Sequence, residues 1–281
     1  MKINLTILLI VLLAVTILAQ KKDSTKLNKW ILSVVAGFNI SQLTLSNWSQ
    51  GGENSLTWTL TGDFSYNYED DDIRIKNNLK LAYGRTKLGS EDFKTNNNDV
   101  YFESVIAKKI DFPINPYLSN TVRTSIAIGY DYSTTPKTEI VNFFDPGYIT
   151  QSIGFYYEPS KEFNTRLGIA VEEVFTSNNT KYANDKSTPE IEKTRVDAGI
   201  ESVSSLEKII AENILLKSKL RLFSRFNSFD VWDVRWDNTI VAKINNFLNV
   251  NFTFLLVYQE DQSLKTQIKQ GLQLGFVYTI L

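Results

Sequence analysis

From Leu56 to Tyr68 apolar and polar side chains alternate. Leu56, Trp58, Leu60, Phe64, Tyr66 and Tyr68 share one phase, and Thr57, Thr59, Thr61, Asp63, Ser65 and Asn67 the other. A period of two marks a strand with one face on an apolar medium and the other wet. The pattern recurs near Trp30 to Ile40, near Ile73 to Gly84 and near Val122 to Tyr132, where Val122, Ile126, Ile128, Tyr130 and Tyr132 oppose Arg123, Ser125, Gly129 and Asp131. Around Val100 to Ile110 the phase is ambiguous, because Lys108 interrupts the row Phe102, Ser104, Ile106. Further strands are expected near Ile149 to Tyr157, Phe163 to Phe175, Glu192 to Val203, Asn213 to Phe226, Trp232 to Ile244, Phe247 to Tyr258 and Lys265 to Leu281. The total is about twelve, with ten to fourteen as the range, and the reading is an all-β, transmembrane antiparallel up-and-down barrel.

Connections give the strands a direction. Bacterial outer-membrane barrels have short periplasmic turns and longer outer loops, so a periplasmic N-terminus makes the odd-numbered connections long. Ser41 to Glu53, Gly89 to Asn98, Ser133 to Tyr148 and Ser177 to Pro189 fit that rule, and Glu69 to Asp72, Phe112 to Pro116, Glu158 to Lys161 and Asn245 to Asn246 are tight. Asn227 to Val231 and Asp261 to Leu264 are shorter than the rule asks, and Ser204 to Glu212 is longer. That last segment is expected to hold a helical turn, with Leu206, Ile209 and Ile210 packing under the barrel. The final strand runs to the last residue, which suits closure against the first.

The first residues differ in kind. Lys2 precedes an uncharged apolar run from Ile7 to Ala19, followed by Gln20, Lys21, Lys22 and Asp23. The run falls short of the roughly 20 residues of a spanning helix and suits a signal peptide, residues 1–19, ahead of one barrel domain, residues 20–281. The absence of cysteine removes both disulfides and a lipid-modified Cys. A formal net charge of −1 suggests no nucleic-acid partner.

A soluble exported barrel that binds a small apolar ligand is the competing fold. It would have to place Arg74, Lys76, Lys80, Arg123, Asp131, Arg235 and Asp237 outside and Trp232, Trp236 and the tyrosines inside. The 13 tyrosines and five tryptophans, many near strand ends, instead suit aromatic girdles at a membrane surface.

Candidate chemistry narrows to the inner wall. Lys217, Lys219, Arg221 and Arg225 share one face of a strand whose presumed neighbours carry Asp197 and Glu201 on one side and Asp233, Arg235 and Asp237 on the other. Opposite charges on adjacent strands contribute about 0.2–1 kcal/mol per pair. They read as a charge ladder filling the lumen, or as the lining of a narrow pore for small solutes. With no histidine, triads and common acid–base dyads lose their usual proton carrier. With no cysteine either, no metal or cofactor is expected, and the chain is read as no enzyme. Glu172 and Glu173, as adjacent strand residues, point to opposite faces and do not cooperate.

Ser46-Asn47-Trp48-Ser49-Gln50-Gly51-Gly52-Glu53-Asn54 sets the chain apart from a generic barrel. It resembles the opening signature of a family of uncharacterised Bacteroidota outer-membrane proteins, domain of unknown function 3078, in which Trp, Gly-Gly and Asn map onto Trp48, Gly51, Gly52 and Asn54. Leu81-Ala82-Tyr83-Gly84 is similar to the family's third strand, and the likeness is expected to cover most of the mature chain. The resemblance implies a barrel in the outer membrane and no activity, ligand or catalytic residue. From the residues alone, Gly51-Gly52 permits positive φ and a fold-back, with packing preferred over ligand contact as the loop's role. The expectation is a non-catalytic outer-membrane barrel of a Gram-negative bacterium, with periplasmic termini. Lipid surrounds it, and other envelope proteins are its candidate partners.

Overall fold

The computed structural model describes residues 29–47, 49–185 and 187–280. The proposed signal peptide and Trp48 lie outside them. Twelve antiparallel strands close into one barrel. In chain order they are β1 (Lys29–Leu43), β2 (Ser55–Glu69), β3 (Ile73–Leu88), β4 (Lys94–Lys108), β5 (Ile114–Thr124), β8 (Gly147–Tyr157), β9 (Phe163–Phe175), β10 (Thr194–Ala211), β11 (Ile214–Arg225), β12 (Ser228–Lys243), β13 (Leu248–Gln259) and β14 (Ser263–Thr279). A hairpin of β6 (Gly129–Asp131) and β7 (Thr138–Val141) lies outside the barrel wall. Each barrel strand pairs with its sequence neighbours, β5 pairs with β8, and β1 pairs with β14 from Val35↔Thr279 to Ile40↔Leu274. Closure satisfies the backbone of both edge strands, which an open sheet would leave unpaired. Among the described residues no helix is long and apolar enough to cross a membrane.

The barrel wears its apolar side outward. Leu118, Ile153, Leu167, Ile169 and Leu272 are all more than half exposed on the outer wall, while Glu103, Arg166, Glu172 and Glu201 are buried inside. A small apolar cluster of Val105, Ala107, Tyr117 and Tyr156 fills the lumen toward the rim that carries the N-terminus. At the opposite rim Val174, Tyr182 and Ala183 pack with Val141 and Tyr148, so the β9–β10 loop, with its short 3-10 turn Thr180–Tyr182, lies over the mouth. The long connections, 44–54, 125–146 and 176–193, gather at that mouth, and the tight turns 70–72 and 212–213 lie at the other rim.

Two expected elements are corrected. The strand expected over Val122 to Tyr132 runs instead from Ile114 to Thr124, so Ile126, Ile128, Tyr130 and Tyr132 leave the wall. Asn98 takes hold of the departing chain: its Oδ1 accepts from the Ile126 and Ala127 N–H groups, both at 2.9 Å. The turn expected at Phe112 to Pro116 correspondingly falls earlier, at residues 109–113, and Pro116 sits within β5. The helical turn expected over Ser204 to Glu212 is strand: β10 continues to Ala211, pairing Glu207↔Lys217 and Ile209↔Leu215. A register shift between Ile209 and Ala211 breaks the alternation there, which is why both Ile209 and Ile210 stand exposed. Strand β4 also starts earlier than expected, at Lys94, and its phase resolves with Ile106 outward and Glu103 inward.

Candidate functional site

The inner wall is organised around β11. Its alternation turns Lys217, Lys219, Arg221, Phe223 and Arg225 inward. Arg221 Nε donates to Glu201 Oε1 at 2.7 Å and its Nη2 to Glu172 Oε2 at 2.6 Å, tying β11 to β10 and β9. Thr150 Oγ1 on β8 also donates to Glu172 Oε2, at 3.2 Å. Lys219 reaches much farther. Its Nζ donates to Glu103 Oε2 at 2.7 Å and to Tyr101 OH at 2.7 Å, both on β4. Around the ring β4 and β11 are five steps apart among twelve strands, close to diametrically opposed. Arg166 Nη2 on β9, three steps from β4, donates to Glu103 Oε1 at 2.6 Å, so one carboxylate holds two cations from two other strands. The triad of Lys219, Glu103 and Arg166 thus crosses the lumen.

A second node lies nearer the loop-bearing rim. Arg225 contacts Asp197 Oδ2 at 3.2 Å and Asp233 Oδ2 at 3.3 Å, and also pairs with Asp261. Arg195 Nε donates to Asp197 Oδ2 at 2.7 Å. Arg235 pairs with Asp237 two residues along its own strand, at 2.8 Å. Lys217 stands apart from both nodes and meets exposed Glu207 at 3.1 Å. Further polar contacts join non-adjacent strands: Asn251 Nδ2 to Asn39 Oδ1 at 2.6 Å, Lys76 Nζ to Tyr156 OH at 3.1 Å, and Lys269 Nζ to Asn97 Oδ1 at 3.2 Å.

The candidate ladder therefore separates. Glu201 and Arg221 form one cluster, Asp197, Arg225 and Asp233 another, Lys219 spans the lumen, Arg235 and Asp237 pair on their own strand, and Lys217 is peripheral. Glu103, Arg166 and Glu172 lie outside the expected ladder, though they hold the network together. Their signal was the inward phase, which Lys108 obscured for Glu103. Glu172 faces inward, opposite in phase to Glu173, and there it meets Arg221. Among the described residues no group of His, Cys, Asp and Glu is arranged to hold a metal ion.

The loop motif has a definite local geometry. Gly51 and Gly52 adopt φ of +78° and +120°, a region that side chains with Cβ rarely occupy. Asn54 Oδ1 accepts from Leu45 N–H at 2.6 Å, and Asn54 C=O accepts from Gly89 N–H at 2.8 Å. The β1–β2 loop is thereby folded back on itself and stitched to the β3–β4 turn. Gly84, in the inward phase of β3, has no space for a Cβ, which would lie 2.8 Å from the Trp58 carbonyl oxygen.

The loops over the mouth are joined by one carboxylate. Asp145 accepts from the backbone N–H groups of Ser177 at 2.8 Å, Asn178 at 3.0 Å and Asn179 at 3.2 Å, and from Asn179 Nδ2 at 3.0 Å. Burial works against its ionised form, but these donors outweigh it and hold its pKa below the ordinary value.

Residues 40–130 match the family model described as "Protein of unknown function (DUF3078)", from within β1 to the outer hairpin. The match contains the loop motif and Leu81 to Gly84. It is narrower than the expected cover of most of the mature chain. No curated protein matches the sequence. The chain is similar to an outer membrane channel from Pseudomonas putida F1, at 10% identity, covering 92% of this chain and 99% of that one, with a TM-score of 0.39. It is similar to the NanC porin at 10% identity, 89% and 100% coverage and a TM-score of 0.41. The translocator domain of the autotransporter NalP from Neisseria meningitidis gives 7% identity, 91% and 90% coverage and a TM-score of 0.36.

Proposed function

We propose that this chain is an integral outer-membrane barrel with a closed lumen, serving as a non-catalytic structural or scaffold component of the envelope. The outward apolar wall supports the membrane setting. A strand of about 9–11 tilted residues spans a bilayer, and the shortest barrel strands here have 11. Aromatic side chains gather toward both rims. Trp30 stacks on Tyr66 at 4.4 Å with Tyr68 beside it, and Phe226, Phe229 and Trp232 cluster at the other end. Such girdles suit the two membrane surfaces. The three longest connections lie at the rim opposite the N-terminus, which favours periplasmic termini.

The observation that carries the closed lumen is the crossing of Lys219 and Arg166 onto Glu103. A conducting pore needs a continuous wet path, and this triad occupies the middle of it with side chains drawn from opposing walls. Planar-bilayer recording of the purified chain tests the reading: the expected result is a sealed membrane, and discrete single-channel openings would replace it with the narrow-pore reading.

A further inference from the structure

The outward column of β3 changes character at one point. Ile73, Ile75, Leu79, Leu81 and Tyr83 are apolar or aromatic, with Asn77 among them, and the next two outward positions are Arg85 and Lys87. Their partners on β2 settle the phase. Tyr83 pairs with Leu60, Arg85 with Trp58 and Lys87 with Leu56, on the apolar side of that strand, whereas Gly84 and Thr86 pair with Thr59 and Thr57. From Ile73 to Tyr83 the column has the length of a strand that crosses a bilayer, about 9–11 residues. Trp58 and Tyr83, with ring centroids 6.0 Å apart, close it as an aromatic girdle does. Arg85 and Lys87 therefore stand just beyond the apolar band, at headgroup depth.

Both cations are held in place, and neither is neutralised. The Phe93 ring centroid lies 5.5 Å from Arg85 Cζ and 6.0 Å from Lys87 Nζ, and Arg85 Nη2 donates to the Phe93 carbonyl. Among the described residues neither forms an ion pair, and Glu91 of the same turn is taken by Lys94 at 2.6 Å. The inward arginines toward this rim differ: Arg123, Arg195, Arg225 and Arg235 each meet a carboxylate. Elsewhere the outward face of the rim carries aromatics at Phe226, Phe229 and Trp232, and an acid, Glu173, on β9 four steps around the ring. Positive charge on this face thus gathers on β3.

We propose that Arg85 and Lys87 bind the phosphate group of an anionic lipid in the leaflet at the loop-bearing rim. Same-face neighbours on a strand lie about 7 Å apart, so one phosphate fits between the guanidinium and the ammonium. Arg85 Nε is enclosed, while Nη1 has no partner among the described residues and remains for the ligand. A lipid suits the site better than a free anion, because the two charges continue the apolar column along which acyl chains would lie. The inference rests on the reading that the outer wall faces lipid.

Native mass spectrometry of the full-length chain in mild detergent, with diphosphoryl lipid A as the probe, tests the site. The native sequence is expected to retain the lipid at least about tenfold more than the combined Arg85→Gln, Lys87→Gln variant, which loses two charge-assisted contacts. The same lipid stripped of its phosphates should show no such difference. Lys181→Gln, which removes a cation from the β9–β10 loop, should bind as the native chain does. Heat-modifiable migration in gels confirms that both variants are folded. Equal retention by the double variant, undiminished retention of the stripped lipid, or an equal loss in Lys181→Gln overturns the site. Inorganic phosphate retained by the native chain as well as the lipid is makes the ligand a free anion and overturns the lipid. Flotation with neutral phosphatidylcholine vesicles separates the two readings: a chain that stays out of them overturns the lipid-facing wall and the site together, whereas an inserted chain without preference for the phosphorylated lipid overturns the site alone.

Discussion

Glu103 is 6% exposed and holds two cations, Lys219 from close to the opposite side of the barrel and Arg166 from three strands away. Removing one partner of a buried pair leaves the other charge uncompensated and costs about 3–5 kcal/mol, whereas replacing the whole group by apolar side chains of similar volume is often neutral. Glu103→Gln is therefore expected to lose about 3–5 kcal/mol in urea-dependent folding into vesicles. Joint replacement of Glu103, Arg166 and Lys219 by Met should recover most of that loss. If Glu103→Gln folds as stably as the native chain, the triad does not hold the lumen together. On the other wall surface the sign reverses. Leu118 faces outward and is 54% exposed, so Leu118→Arg should cost about 2–4 kcal/mol if that face meets the middle of a bilayer, and close to nothing if it meets water.

The loops over the mouth are bound through Asp145, whose folded-state pKa lies below its ordinary value. A carboxylate depressed on folding stabilises the folded state above its unfolded pKa of about 3.9 and loses that contribution as pH falls through the folded value. Hydrogen exchange in residues 176–193 is thus expected to stay slow from neutral pH down to about 4 and to quicken below it, after correction for intrinsic exchange. Asp145→Asn should show the fast behaviour already at neutral pH, and unchanged protection in that variant would contradict the clamp. Elements of this kind were hidden from the sequence for identifiable reasons. The alternation through Ile126, Ile128, Tyr130 and Tyr132 has the period of a wall strand, but Asn98 and the β6–β7 hairpin divert it. Leu206, Ile209 and Ile210 carry helical spacing, yet β9 pairs with that segment as far as Leu206 and β11 as far as Ala211, and a bulge produces the same pattern in a strand. Long strands with two unlike faces, such as β2 and β3, were legible because their period of two is uninterrupted. The charges of β11 were legible for the same reason. Glu103 and Arg166 were not, because they lie 116 and 53 residues from Lys219 in sequence and are joined to it, through Glu103, only after the ring closes.

At the scale of the whole molecule, apolar side chains outside and ion pairs across the inside reverse the usual order of a soluble barrel. This arrangement suits a wall that meets lipid and a lumen that resists flow. Other polar contacts, Asn251 to Asn39 and Lys76 to Tyr156, join strands that do not pair, and the β9–β10 loop covers the mouth. The most direct test compares planar-bilayer conductance of the native chain with that of a variant carrying Glu103→Ala, Arg166→Ala and Lys219→Ala. The account predicts a silent native chain and discrete openings from the variant, whose conductance also shows that the barrel inserts. Discrete openings from the native chain would contradict it.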